Sequence, residues 1–256
     1  MENISATVNK AIDTLEIFLQ NDRELRLSEV ARLTGMDRAT TYRMVGTLVK
    51  RRFLRQEKKH GKYSLGLKMI DCSFAVRRNL KFIDLAYLHL SKLNSAERVA
   101  VNLTVLDGRQ SVVVEEIGIS AKGLPMPLPA PKILPLHATA CGKIFLAFMS
   151  KEKRQLLLPS LDLERYTPQT ITSAAELEKE LVKIKKAGVA FDLEDYKLGQ
   201  RAAAAPVTDS NGIVFAAASL IIPAGRSDKE GLRYLASAIK RSAQELSEAV
   251  NQRDWI

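Results

Sequence analysis

The first quarter of the chain repeats apolar residues at helical spacing and breaks the repeat where helices should end. Over Val8–Asn21, the residues Ile12, Leu15, Ile17, Phe18 and Leu19 predict a first helix, closed by Asn21-Asp22. Ser28 is a good N-cap for a second helix, whose small apolar face is Val30, Ala31 and Leu33 and which Gly35 breaks. Asp37 caps a third, Arg38–Arg51. With about 100° between successive residues, Thr41, Val45, Leu48 and Val49 fall on one side of it and Thr40, Arg43, Thr47 and Lys50 on the other. One face packs and the other is free to read something. Phe53-Leu54 and Tyr63-Ser64-Leu65 predict short strands, joined through Glu57-Lys58-Lys59-His60-Gly61. Helix, turn, helix and basic hairpin make a winged helix-turn-helix, whose second helix enters a DNA major groove.

Leu67–Val76 returns to helical spacing, with Leu67, Ile70 and Phe74 on one stripe and Met69, Cys72 and Val76 beside it. A helix apolar on more than one side at the border of a small domain has to be covered, either by the next domain or by a second copy of the chain, and the second is the cover expected. Arg77-Arg78-Asn79 is a charged break, after which Phe82–Leu93 begins the helix of a second domain. The pattern then changes to β-branched runs, Val99–Leu106 and Ser111–Ile117, around the hairpin signal Asp107-Gly108-Arg109-Gln110. Leu124–Leu136 carries prolines at 125, 127, 129, 131 and 135 and must be extended or looped. Further helices are expected from about Thr139 through Met149, from Ser173 (a capping box with Glu176) to Lys185-Lys186, and over Lys229–Val250. Strands are expected at Val189–Asp192, Ala202–Val207 and Ile213–Ile222. Hairpins mixed with helices predict an α+β domain, an antiparallel sheet flanked by helices.

Charge sharpens the first half of this picture. Residues 1–81 hold 17 basic and 9 acidic side chains, whereas residues 82–256 hold 22 and 20. From Arg43 through Lys62 there are eight Lys or Arg against Glu57 alone, an excess placed for contact with phosphates. The 256 residues suffice for two cores, and 46% hydrophobic with 27% charged residues is ordinary for a globular chain. No apolar run approaches the length of a membrane span, and MENISATVNK lacks a signal-peptide pattern, so the expected location is the cytoplasm, with no membrane partner. Cys72 and Cys141 show no paired spacing, and His60, His89 and His137 are scattered. Neither a disulfide framework, a metal nor a cofactor is expected.

Several stretches resemble the IclR family of bacterial transcription regulators. They are Arg38-Ala39-Thr40-Thr41-Tyr42-Arg43 with Thr47-Leu48, Tyr63-Ser64-Leu65-Gly66, Leu134-Pro135-Leu136-His137-Ala138-Thr139-Ala140, Gly142-Lys143, Gly188 with Asp192-Leu193-Glu194-Asp195, and Gly199 followed by Ala204-Ala205-Pro206-Val207. The resemblance implies a winged helix-turn-helix over residues 1–66, a linker helix over 67–79 and a GAF-like effector-binding and oligomerisation domain over 80–256. It implies work as a dimer or dimer of dimers on double-stranded DNA. The residues expected to meet DNA are Arg38, Thr40, Thr41, Tyr42, Arg43, Thr47, Lys50, Lys58 and Lys59. Carried over by position, the effector pocket would use the backbone at Ala140-Cys141, the side chains of Asp192 and Ser219, and apolar walls from Met126 and Leu134. Three departures stand out: Ala202 and Ile221 replace a pocket cysteine and serine of better-known members, and Arg52 replaces the glycine often found between recognition helix and wing.

The residues support that pocket on their own terms. A helix starting near Thr139 would point the N–H groups of Ala140, Cys141 and Gly142 at a carboxylate, while Asp192 would accept from a ligand hydroxyl or water, or be protonated. Apolar Ala202 and Ile221 favour a larger or more apolar body, such as an aromatic acid. A roughly palindromic operator follows from two reading units in one dimer. Two rival readings use Cys141, whose thiol pKa a helix N-terminus would depress: a thiol redox sensor, or a hydrolase with His137 as base. No third orienting group is evident for the latter, so no catalytic residue is expected.

Overall fold

The computed structural model describes residues 5–252 apart from 22, 59, 60, 120–124, 128–131 and 227. Its chain divides into two compact units, Met1–Leu80 and Lys81–Ile256. The helix expected as a separate linker belongs to the first.

In that first unit α1 (Ala6–Leu19), α2 (Leu27–Thr34) and α3 (Arg38–Lys50) precede a hairpin of β1 (Leu54–Gln56) and β2 (Tyr63–Leu65), followed by α4 (Lys68–Asn79). Phe18, Leu25, Val30, Val45, Leu48, Leu54 and Tyr63 form the core. Helix α2 starts one residue before Ser28. Its N-cap is Arg26, whose N–H donates to the Glu29 carboxylate at 2.8 Å, so an acidic group three residues on replaces the hydroxyl cap. Gly35 ends α2 in the left-handed region, and Asp37 caps α3 by accepting from the Thr40 N–H at 2.9 Å. Strand β1 pairs with β2 in the register Leu54↔Leu65, and Leu25 bridges Tyr63 on the other side. Helix α4 buries no residue.

The second unit contains α5 (Phe82–Glu97), β3 (Ala100–Asp107), β4 (Gln110–Ile119), β5 (Pro125–Pro127), β6 (Lys132–Leu134), α6 (Ala140–Phe148), α7 (Lys151–Leu157), α8 (Ala174–Ala187), β7 (Ala190–Leu193), β8 (Gln200–Thr208), β9 (Val214–Pro223) and α9 (Lys229–Asn251). The strands form one antiparallel sheet in the order β5-β4-β3-β9-β8-β7, with β6 also on β4. The proline-rich stretch supplies β5 and β6, which prolines tolerate at a sheet edge. Helices α5 and α9 pack together on the sheet, and α6 packs with α8. Helix α7 was not expected, because its seven polar-rich residues carry no apolar repeat. Among the described residues no helix is long and apolar enough to cross a membrane.

Arg52 answers for one departure from the family pattern. It takes φ +67°, the left-handed conformation that a glycine adopts without penalty, and its N–H closes the end of α3 on the Val49 carbonyl. Gly66 lies so close to the Arg52 carbonyl that a Cβ there would overlap it. Relieving the strain should stabilise the unit: Arg52→Gly is expected to raise its unfolding free energy by about 0.5–1 kcal/mol in urea denaturation, and an unchanged midpoint would show that the arginine is unstrained.

Candidate functional site

Two regions gather polar chemistry, one in each unit. In the first, Arg38, Tyr42 and Arg43 stand exposed along α3 and, with Arg26, Ser28 and Gln56, border a concavity of about 780 Å³. Thr47 and Lys50 are exposed further along the helix, and Thr40 is half-buried. The Thr47 hydroxyl donates to the Arg43 carbonyl at 2.8 Å, so it is already engaged. Thr41 must be corrected: it is fully buried, its hydroxyl donating to the Asp37 carbonyl, and it belongs to the packing face. Lys58 is exposed on the wing, whereas Lys59 lies outside the described residues. Arg26, Ser28 and Gln56 were missed because the second helix was started too late and the first strand ended too early. The face carries arginines without an acidic partner in its lining, which suits a polyanion.

The second region is a cavity of about 440 Å³ between α6 and the sheet. Sheet register builds its floor. Glu116, Asn102, Ser219 and Ala204 lie side by side across β4, β3, β9 and β8, and two positions along each strand lies a second row, Ile221, Ala202 and Asp192. Alternation along strands turns both rows to one face. Over them stands the start of α6. Thr139 caps it, accepting from the Gly142 N–H at 3.2 Å and donating to the Pro135 carbonyl at 2.8 Å. Gly142 is thereby removed from the expected anion site, and the N–H groups of Ala140 and Cys141 have no partner among the described residues.

Leu134, Ala140, Cys141, Asp192, Ala202, Ser219 and Ile221 all line this cavity. Met126 does not; it sits on edge strand β5 and is 41% exposed. Ala202 and Ile221 do make an apolar wall, but Asn102, Glu116, Lys197 and Gln200 add polar groups that make the cavity as a whole less apolar than expected. Only Asn102 had a sequence signal, being a lone amide in a β-branched run. Its oxygen accepts from the Ser219 hydroxyl at 2.6 Å and from the Cys141 thiol at 3.7 Å. With the oxygen so engaged, the amide NH2 is the end left to donate.

Burial pushes the Cys141 thiol above its usual range, which overturns the depressed pKa that a redox sensor or a thiol nucleophile requires. His137 is held elsewhere, its Nε2 on the Glu164 carbonyl at 2.9 Å and its ring against Tyr166. Asp192 is pushed up to about 6, first by burial and then by the neighbouring Asp195 carboxylate, against Lys143 and two backbone N–H donors that hold it down. Those donors are Asp195 at 2.7 Å and Tyr196 at 3.3 Å, both on Oδ1. Among the described residues no cluster of His, Cys, Asp or Glu side chains is arranged to hold a metal.

Comparison with known proteins finds one family across both units. Residues 7–58 match the IclR helix-turn-helix domain, and residues 74–248 match the bacterial transcriptional regulator IclR C-terminal domain. The acetate operon repressor of Salmonella typhimurium is 30% identical over 94% of this chain and 88% of its own. The crystal structure of Thermotoga maritima IclR superposes with a TM-score of 0.77 at 28% identity, covering 96% of this chain and 98% of its own. An IclR homologue from Microbacterium hydrocarbonoxydans, complexed with 4-hydroxybenzoate, has the same fold at a TM-score of 0.76 and 23% identity, over 94% of this chain and all of its own.

A raised carboxylate has a stability signature. The folded state favours neutral Asp192, so its stabilising contribution is complete below the ordinary value of 3.8 and is lost as pH rises through about 6. At pH 7.5 the charge is a burden, and Asp192→Asn, which can still accept both N–H groups, should raise stability by roughly 1–3 kcal/mol. The gain should shrink as pH falls below 6. A gain independent of pH in thermal unfolding would contradict this ionisation.

Proposed function

The chain belongs to the IclR family of DNA-binding transcriptional regulators, and from that premise we propose that a small hydroxylated carboxylate, an aromatic acid such as 4-hydroxybenzoate, controls its binding to an operator. What carries this reading is the pairing, inside one cavity, of the Ala140 and Cys141 N–H groups with the Asp192 carboxylate. The N–H groups receive the ligand's carboxylate. Asp192 accepts from its hydroxyl, and Ile221, Ala202 and Leu134 flank its body. The ligand found in the Microbacterium homologue has this chemistry. Calorimetry should show 4-hydroxybenzoate binding that is strongest above pH 6 and weakens roughly tenfold per pH unit below it, as Asp192 takes up its proton. Benzoate, lacking the hydroxyl, should bind more weakly and without that dependence. Equal binding of both acids at pH 7.5 would remove the role given to Asp192.

On DNA, Arg43 reads base edges from the start of α3, Arg38, Thr40 and Tyr42 hold register on phosphates, and Lys50, Lys58 and Lys59 add charge. The reader works as a homodimer on a roughly palindromic site. The first unit supports this, since Ile70, Phe74 and Val76 of α4 stand exposed within one chain, as do Val8, Ile12 and Leu19 of α1, and apolar side chains left open in this number need a cover. The effector acts by preferring one arrangement of the two reading units, because equal affinity for both would change nothing. Arg43→Ala should erase the preference for operator over random DNA, while Lys58→Ala should lower affinity for both alike and reduce the salt slope by about 1. Phe74→Glu should yield monomers in sedimentation and weaken operator binding at least tenfold or so. Retained selectivity in Arg43→Ala, or a dimeric Phe74→Glu, would count against the respective assignment.

A further inference from the structure

Lys143 is the largest fully buried side chain of the described residues, 2% exposed. It lies on α6 one turn after Ala140. Its Nζ donates to the Phe191 carbonyl at 3.0 Å and is ion-paired with the Asp195 carboxylate. The other oxygen of Asp195 accepts from the Leu193 N–H at 3.2 Å, and the Asp195 N–H is the shorter of the two bonds on Asp192. Thr170 ties down the same turn from outside, its hydroxyl donating to the Asp195 carbonyl at 2.6 Å.

These bonds form one path from the helix start that offers two N–H groups to the carboxylate that faces them. Stability alone does not account for an ion pair there, since apolar replacements of a buried pair commonly cost nothing. We propose that Lys143 is a positioning residue for the effector site: through Asp195 it fixes the Asp192 turn against α6, setting both the span between the two ends of the site and the charge on Asp192. This rests on the effector reading given above. The charged and titratable groups facing Asp192 are Lys143 and Cys141 from α6, Asp195, Tyr196 and Lys197 from its own turn, and Glu116 from the floor of the cavity. Of these, Lys143 favours its ionised form and Asp195 opposes it.

The opposite signs separate positioning from mere support. The full chain, titrated calorimetrically with 4-hydroxybenzoate from pH 5 to 8, gives a binding midpoint for wild type, Lys143→Met and Asp195→Asn. Lys143→Met should weaken binding about tenfold at pH 7.5 and move the midpoint upward, whereas Asp195→Asn should move it downward. Midpoints that stay put in both, or that move the same way, overturn the proposal. Should Lys143→Met fail to fold, the near-isosteric Asp195→Asn decides alone, and an unmoved midpoint is then fatal. A wild type that binds no aromatic acid at any pH sinks the effector reading and this inference with it, an outcome distinct from normal binding by unaltered variants.

Discussion

Helix α6 can lie close on its sheet and close to the chain that precedes it because nothing stands in the way. Gly142 carries no side chain where the Leu136 backbone passes, and a Cβ there would overlap it. Beneath, Ala202, Ala204 and Ala217 keep the sheet low enough for Cys141, Ile144 and Phe145 to pack on it. A helix end brought into the interior has N–H groups to satisfy. Thr139 takes one, and the two that remain open onto a cavity. The site is thus a consequence of how closely this helix sits, more than of any single polar side chain.

The same closeness explains why the polar groups nearby are interlocked. Asn102, Ser219 and Cys141 satisfy one another across β3, β9 and α6, and Lys143 and Asp195 do so between α6 and the β7 turn. Such a network is rigid when complete, and a ligand that completes the remaining donors meets little freedom to lose. The first unit follows a different rule. Its polar face lies open along α3, held from behind by Val45 and Leu48, and exposed arginines line it.

Much of this was legible in the residues. Gly35, Asp37 and the Ser173 cap ended or began helices where expected, because each acts through a bond to its immediate neighbours. The second helix was misplaced because Glu29 caps Arg26 from inside it. Thr41 was counted among DNA contacts by its place in a motif, although its angle on the helix already put it with Val45 on the packing side. The site was half legible. Ala140, Cys141, Asp192 and Ser219 came from position, but Glu116, Lys197 and Gln200 depend on strand register and on a turn whose path no local pattern reveals. Cys141 was misjudged because nearness to a helix start was weighed without its burial.

The Ala140 and Cys141 N–H groups can be observed directly. In amide correlation spectra of the full chain, saturating 4-hydroxybenzoate should shift the Ala140 and Cys141 amide protons strongly, as new hydrogen bonds form. The Gly142 amide, already bonded to Thr139, should move least of the three. Bound acid that leaves Ala140 and Cys141 unmoved while shifting amides elsewhere would contradict the placement of the carboxylate at this helix start.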